Sequence, residues 1–238
     1  MYLNLSKRYL NGDEIGVWND IHSVVDITPK SENWGDIIFV LNETMLRVKF
    51  NFDLIYTELK RQNYSFCDKL EYLYSTPDSN INELKSQVHE FGFLPLSIEY
   101  FYKYIFKINL LFQHNQIYNY KYSDPVYIES VNNILNSMED GSWKEIMFEN
   151  IDDNKPIYIE IAPDFYHKDN TSGGIPYGIE LTKKQQIDSK ILNTPYGDLF
   201  FVKYLRLSFE YGGFPNIAKY NNNYTIIVNS LKKGLKVI

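Results

Sequence analysis

Cysteine is almost absent from this chain: Cys67 is the single one in 238 residues. One cysteine excludes an internal disulfide framework and any paired-Cys metal or redox motif, and it fits a reducing compartment. No apolar run approaches the ~20 residues that a membrane helix needs. The N-terminal stretch MYLNLSKRYLNGDEIG carries Lys7, Arg8, Asp13 and Glu14 and has no apolar signal-peptide core. The chain therefore reads as cytoplasmic, with no membrane partner. Positive charge is also short. The formal net charge is −6, which repels phosphate backbones and argues against nucleic acid as a partner. Internal repeats and low-complexity linkers are missing. So are a phosphate-binding Walker loop, a Rossmann glycine fingerprint, a nucleophile elbow and an HExxH pair, the commonest enzyme signatures.

What remains is an ordinary globular composition with one excess. Aromatic residues make up 16% of the chain, with 21 Tyr and 15 Phe. Tyrosine serves both half-buried packing and recognition surfaces. A chain of this length buries roughly 70–75% of its unfolded surface and folds without covalent staples.

Periodicity organises the chain as follows. The first fifty residues read as irregular or short-strand structure anchored by Trp18 and Trp34. In NFDLIYTELKRQNY, Phe52, Ile55, Tyr56 and Leu59 share one helical face, with Asn51 or Asp53 as cap. In NINELKSQVHEFG, Ile81, Leu84, Val88 and Phe91 share another, and Gly92 stops it. Ser97 is the expected cap of a helix through Ile98, Phe101, Tyr102 and Ile105, and INLLF after it is strand-like. ESVNNILNSM returns to helical spacing behind Ser130. PIYIEIA and YGIEL are strands whose apolar residues alternate. DLFFVKYLRLSFEYGG is the strongest helix, with Asp198 as expected cap, Phe201, Val202, Leu205, Ser208 and Phe209 inward, and Gly212 and Gly213 at its end. A last helix lies around YTIIVNSLKKG. Helices first, then strands mixed with helices, predict one α+β domain over residues 1–238. A mostly helical part spans 1–90, and a mixed, largely antiparallel sheet with flanking helices lies in 91–238.

Four features could carry chemistry. Asp164, His167 and Asp169 form D-x-x-H-x-D. This is either a metal site for a metal-dependent hydrolase, or a turn capped by Asp164 with Asn170 and Gly173 at positive φ, or a binding loop. The pair Gly173–Gly174 either cradles an anion with backbone amides or permits a chain reversal. Cys67 is either a nucleophile paired with a distant histidine or a small buried hydrophobe. Tyr118, Tyr120 and Tyr122 fall at period two in YNYKYSDPVYI, either packing on a core or offering contact area to a partner. The acidic run FENIDDN reads as a solvated loop able to steer a basic partner.

The ordered segments FLPLSIEYFYKYIFKINLL, YSDPVYI, IEIAPDFYHKDNTSGGIPYGIEL and FFVKYLRLSFEYGGFP resemble the SUKH superfamily, over roughly residues 90 to 217. One departure is that Lys107 and Ile108 stand where the family pattern carries Asn-Gly or Gly-Gly. The resemblance implies an α+β fold and, for bacterial members, immunity proteins that neutralise a cognate toxin. Fungal relatives are linked to regulation of cell-wall synthesis. It implies no catalytic residue, and no cofactor is expected. The expectation is a non-enzymatic binding protein with a toxin as partner. The candidate contacts are Tyr118, Tyr120, Tyr122, Asp164, Tyr166, His167 and Lys168. The oligomeric state is left open.

Overall fold

A computed structural model of the chain describes residues 4–23, 29–67, 75–113, 120–221 and 224–238. Its N-terminal part is helical: α1 (Leu5–Leu10), α2 (Glu14–Ser23), α3 (Trp34–Arg61) and α4 (Asp78–Val88). This corrects the reading of the first fifty residues as irregular or short-strand. The inward stripe of α3 starts at Ile37 and runs through Val40, Leu41, Met45 and Val48 to Phe52, Ile55, Tyr56 and Leu59. Asn51 and Asp53 therefore lie inside the helix and cap nothing. Asn51 is buried because its amide binds another strand of chain: its Nδ2 donates to the Lys236 carbonyl at 2.8 Å, and its Oδ1 accepts the Lys236 N–H at 2.7 Å. A polar residue in a core stripe looks like a helix boundary until its distant partner is known. Trp18 is fully buried, and Trp34 packs against the core from its edge.

Next come α5 (Leu96–Tyr104), β1 (Ile108–Asn109), β2 (Tyr127–Ile128), α6 (Val131–Met138) and α7 (Ser142–Asp152). Ser97 is not the cap of α5. Pro95 stands at that position, and Ser97 lies buried within the first turn. Ser130 does cap α6, accepting the Asn133 N–H at 3.3 Å. The acidic run proves to be the C-terminal end of α7 through Asp152, with Asp153 as its C-cap, and not a loop throughout. INLLF contributes the two residues of β1, which pair with β2, and an isolated antiparallel bridge from Phe112 to Phe66.

The second sheet is an antiparallel meander in the order β3 (Tyr158–Ala162), β4 (Tyr177–Glu180), β5 (Lys190–Leu192), β6 (Leu199–Phe200). Ile159 faces Ile179, which in turn faces Ile191, so one inward row crosses three strands. Every strand pairing among the described residues is antiparallel. The chain finishes with α8 (Phe201–Glu210), α9 (Ile217–Tyr220) and α10 (Tyr224–Leu231). Helices flanking small antiparallel sheets make this an α+β fold, and one buried cluster draws on residues from Leu5 to Ile238.

The cap of α8 is another correction. Asp198 is exposed, and its carboxylate binds Lys190 Nζ at 2.9 Å. The carboxylate at the start of α8 belongs to buried Asp188, whose Oδ2 accepts the Val202 N–H at 3.1 Å. Phe201, Val202, Leu205, Ser208 and Phe209 are all buried, as their spacing predicts.

Candidate functional site

The 163–176 loop leaves β3 through Pro163. Asp164 then folds its carboxylate back over the chain. Oδ1 accepts the N–H groups of Tyr166 (2.8 Å) and His167 (3.3 Å), and Oδ2 pairs with Nδ1 of His167. This starts a 3-10 turn over His167–Asp169, and Asn170 (φ 57°) and Gly173 (φ 114°) take the left-handed backbone that ends it. Gly174 is required twice over. Its φ is 110°, and a Cβ there would lie 2.3 Å from Asp164 Oδ1. Burial would raise the Asp164 carboxyl, but the bonds from His167 and the backbone amides outweigh it and hold the group below its ordinary range. The turn reading of D-x-x-H-x-D thus describes the geometry. Among the described residues, no three His, Cys, Asp or Glu side chains converge in a way that could hold a metal ion.

Lys168 does not reach into solvent. It points inward, and its Nζ lies 2.6 Å from Oδ1 of Asp124, both side chains being wholly inaccessible. The other Asp124 oxygen accepts the hydroxyls of Tyr177 (3.2 Å) and Tyr196 (2.6 Å). The ammonium also stands 4.3 Å from the centre of the Tyr177 ring. Burial lowers the Lys168 pKa, opposed chiefly by Asp124. Burial and the Asp124 charge push the phenols of Tyr177 and Tyr196 far up, so both remain donors. Asp124 itself has a φ of 56°, rare for any residue but glycine and best tolerated by Asn and Asp. The pair ties the loop to the chain segment ahead of Pro125 and fixes what lies above it.

Above it is a cleft of about 290 Å³, with Phe165, Tyr166, Ile175, Thr194, Lys219 and Tyr220 among its walls. Tyr122, also at positive φ (57°), adds its ring. It lies 6.1 Å from Phe165 and 5.4 Å from Tyr220 by centroids, and Phe165 is 5.4 Å from Tyr166. Tyr166 and Tyr220 are 49% and 47% exposed. Lys121 Nζ stands 5.0 Å from the centre of the Tyr122 ring, and Lys219 Nζ 5.5 Å from that of Tyr220.

The expected contact residues therefore divide. Asp164 and Tyr166 line the cleft, Tyr122 packs against its Phe165 and Tyr220 rings, and His167 is bonded to Asp164. Lys168 is buried beneath it. Tyr120 is buried elsewhere, in an aromatic cluster with Tyr64, Phe112 and Phe214, and burial pushes its hydroxyl up to about 12. Period two fails there because left-handed turns at Tyr122 and Asp124 break any strand. Tyr118 lies outside the described residues. Phe165, Tyr220 and Lys219 carry no local sequence signal for the cleft.

Two other constellations are occupied with folding. Ser97 Oγ donates to Asp188 Oδ1 at 2.7 Å, and His22 Nε2 lies 3.1 Å from Oδ2. The residue types match those of a hydrolytic triad, but the acid stands between the serine and the histidine, so no base reaches the hydroxyl. Glu129 lines a second cleft of about 220 Å³, yet its carboxylate is engaged by Tyr127, the Ser130 N–H, Asn133 and Lys107. Cys67 is exposed, correcting the expectation of a buried hydrophobe, and its Sγ donates to the Phe112 carbonyl. No helix among the described residues is long and apolar enough to cross a membrane. The chain matches no family model, no curated protein and no solved structure.

Proposed function

We propose that the chain is a non-enzymatic binding protein that grips another protein at the aromatic cleft. The partner class suggested by its SUKH-like segments is a cognate bacterial toxin. The observation that carries this reading is the group of rings of Phe165, Tyr166 and Tyr220 in one concavity, with Tyr122 packed against two of them. Aromatic side chains held in place supply large contact area at small entropic cost, the usual make-up of an interface hot spot. The potential acids, bases and nucleophiles Ser97, Asp188, Lys168 and Asp124 are buried and bonded to one another, which favours a binding role over catalysis.

The test is binding between the purified chain and the product of the neighbouring gene, by calorimetry, together with rescue of cells from that product. A complex should form, and Tyr166→Ala with Tyr220→Ala should weaken it by about 2 kcal/mol or more at an unchanged unfolding midpoint. No complex and no rescue would end the proposal. A complex indifferent to both substitutions would move the interface away from the cleft.

A further inference from the structure

Resting on the binding-protein reading, we propose that the segment of the partner entering the cleft is acidic. It inserts one apolar side chain between Tyr166, Ile175 and Tyr220 and lays carboxylates against Lys121 and Lys219. The sign is opposite to the one that the chain's overall charge of −6 suggests.

Three observations lead there. First, two exposed lysines stand at the cleft, one in its wall and one on the Tyr122 ring that packs against that wall. Lys219 is one of its walls, and Lys121 stands over Tyr122. Both are exposed, and among the described residues neither forms an ion pair with a carboxylate. Second, the carboxylates of the loop and its floor are withdrawn from solvent, Asp169 by burial at 7% exposure and two others by their bonds. Asp164 is 3% exposed and takes three bonds from its own turn, and Asp124 is neutralised by Lys168. A buried, neutralised acid projects little field, so the exposed ammonium groups dominate what a partner meets. Third, the volume of about 290 Å³ sits at the lower limit of small-molecule sites, roughly 300–1,000 Å³. That is room for an anchoring side chain rather than a whole cofactor. Each lysine lies over a tyrosine ring, which holds its ammonium near the aromatic walls.

The experiment uses two fluorescein-labelled synthetic peptides of equal length with a central tryptophan, one flanked by glutamates and one by lysines. Anisotropy with the purified chain measures their affinities. The glutamate peptide should bind at least about tenfold more tightly, a difference of about 1.4 kcal/mol, and should weaken as salt rises from about 0.05 to 0.5 M. Lys121→Glu with Lys219→Glu should abolish or invert the preference, and Tyr166→Ala with Tyr220→Ala should lower binding of the glutamate peptide about tenfold. All four positions lie at the surface or the rim, and circular dichroism verifies folding. Should a variant misfold, the comparison of the two peptides on the native chain still decides. Equal affinity, a preference for the lysine peptide, or no binding of either overturns the acidic segment. A neighbouring-gene product that binds the native and charge-reversed chains alike would also overturn it, while leaving the binding-protein reading in place.

Discussion

Lys168 occupies the environment least suited to a lone lysine, wholly enclosed between β4 and the turn before Pro125. Its charge is tolerated because Asp124 lies 2.6 Å away and two phenols complete the carboxylate's bonding. Removing one member leaves the other buried and unpaired, the costly outcome for such pairs. Lys168→Met should therefore cost about 3–5 kcal/mol in urea unfolding. Replacing both residues, as Lys168→Met with Asp124→Leu, should cost clearly less than the sum of the two single changes. Additive costs would mean that the two groups do not interact. Tyr166, two residues earlier and half-exposed, should behave oppositely: its truncation should leave stability within about 0.5 kcal/mol while altering binding.

Helix α8 shows how an element depends on residues outside it. Its inward stripe is legible, and Leu205 is fully buried. Leu205→Ala should cost about 2–5 kcal/mol, and a loss below about 1 kcal/mol would show that the site collapses around the smaller side chain. Its cap comes from Asp188, ten residues before the aspartate nearest the helix in sequence. Asp188→Ala should destabilise by at least about 1 kcal/mol, because Ser97 and Val202 lose an acceptor together. Asp198→Ala removes an exposed ion pair with Lys190 and should be close to neutral. Equal effects of the two replacements would overturn this assignment. Long α3 makes the same point, since its inward face is continuous only because Asn51 is satisfied by Lys236.

Over the whole molecule, carboxylates held below their ordinary range set the response to acid. The bonds from Arg61 bring Glu58 to about 2. At Glu99 and Glu129 burial acts upward, but Lys85 and Lys103 in the first case, and Tyr127 and the Ser130 N–H in the second, outweigh it. Asp164 behaves likewise. The unfolded chain titrates these groups near their free values of about 4, so it binds more protons than the folded chain in the interval below. Stability from these four groups is complete above about pH 5 and is lost as the pH falls toward 2. Urea midpoints should be level from about pH 7 to 5 and then decline, and a flat profile down to about pH 2 would contradict the paired geometry. Added salt should weaken the share of partly exposed Glu58 more than that of enclosed Asp164.

Features carried by neighbouring residues are legible along the chain. The spacing of Val131, Ile134 and Met138 behind Ser130 marks α6. Alternation marks β3 and β4, and Asp164 with Asn170 and Gly173 marks the turn between them. These depend on covalent spacings of fewer than ten residues, and their physics is complete without the rest of the molecule. The helices of the first fifty residues, the inward Lys168, the cap from Asp188 and the ring of the cleft are not written locally. Asp124 and Lys168 are 44 residues apart, Ser97 and Asp188 are 91 apart, and Asn51 and Lys236 are 185 apart. A buried polar group is stable only where its partner arrives. Closure of the chain around one core therefore chose which charges went inside, and with them which rings were left facing out.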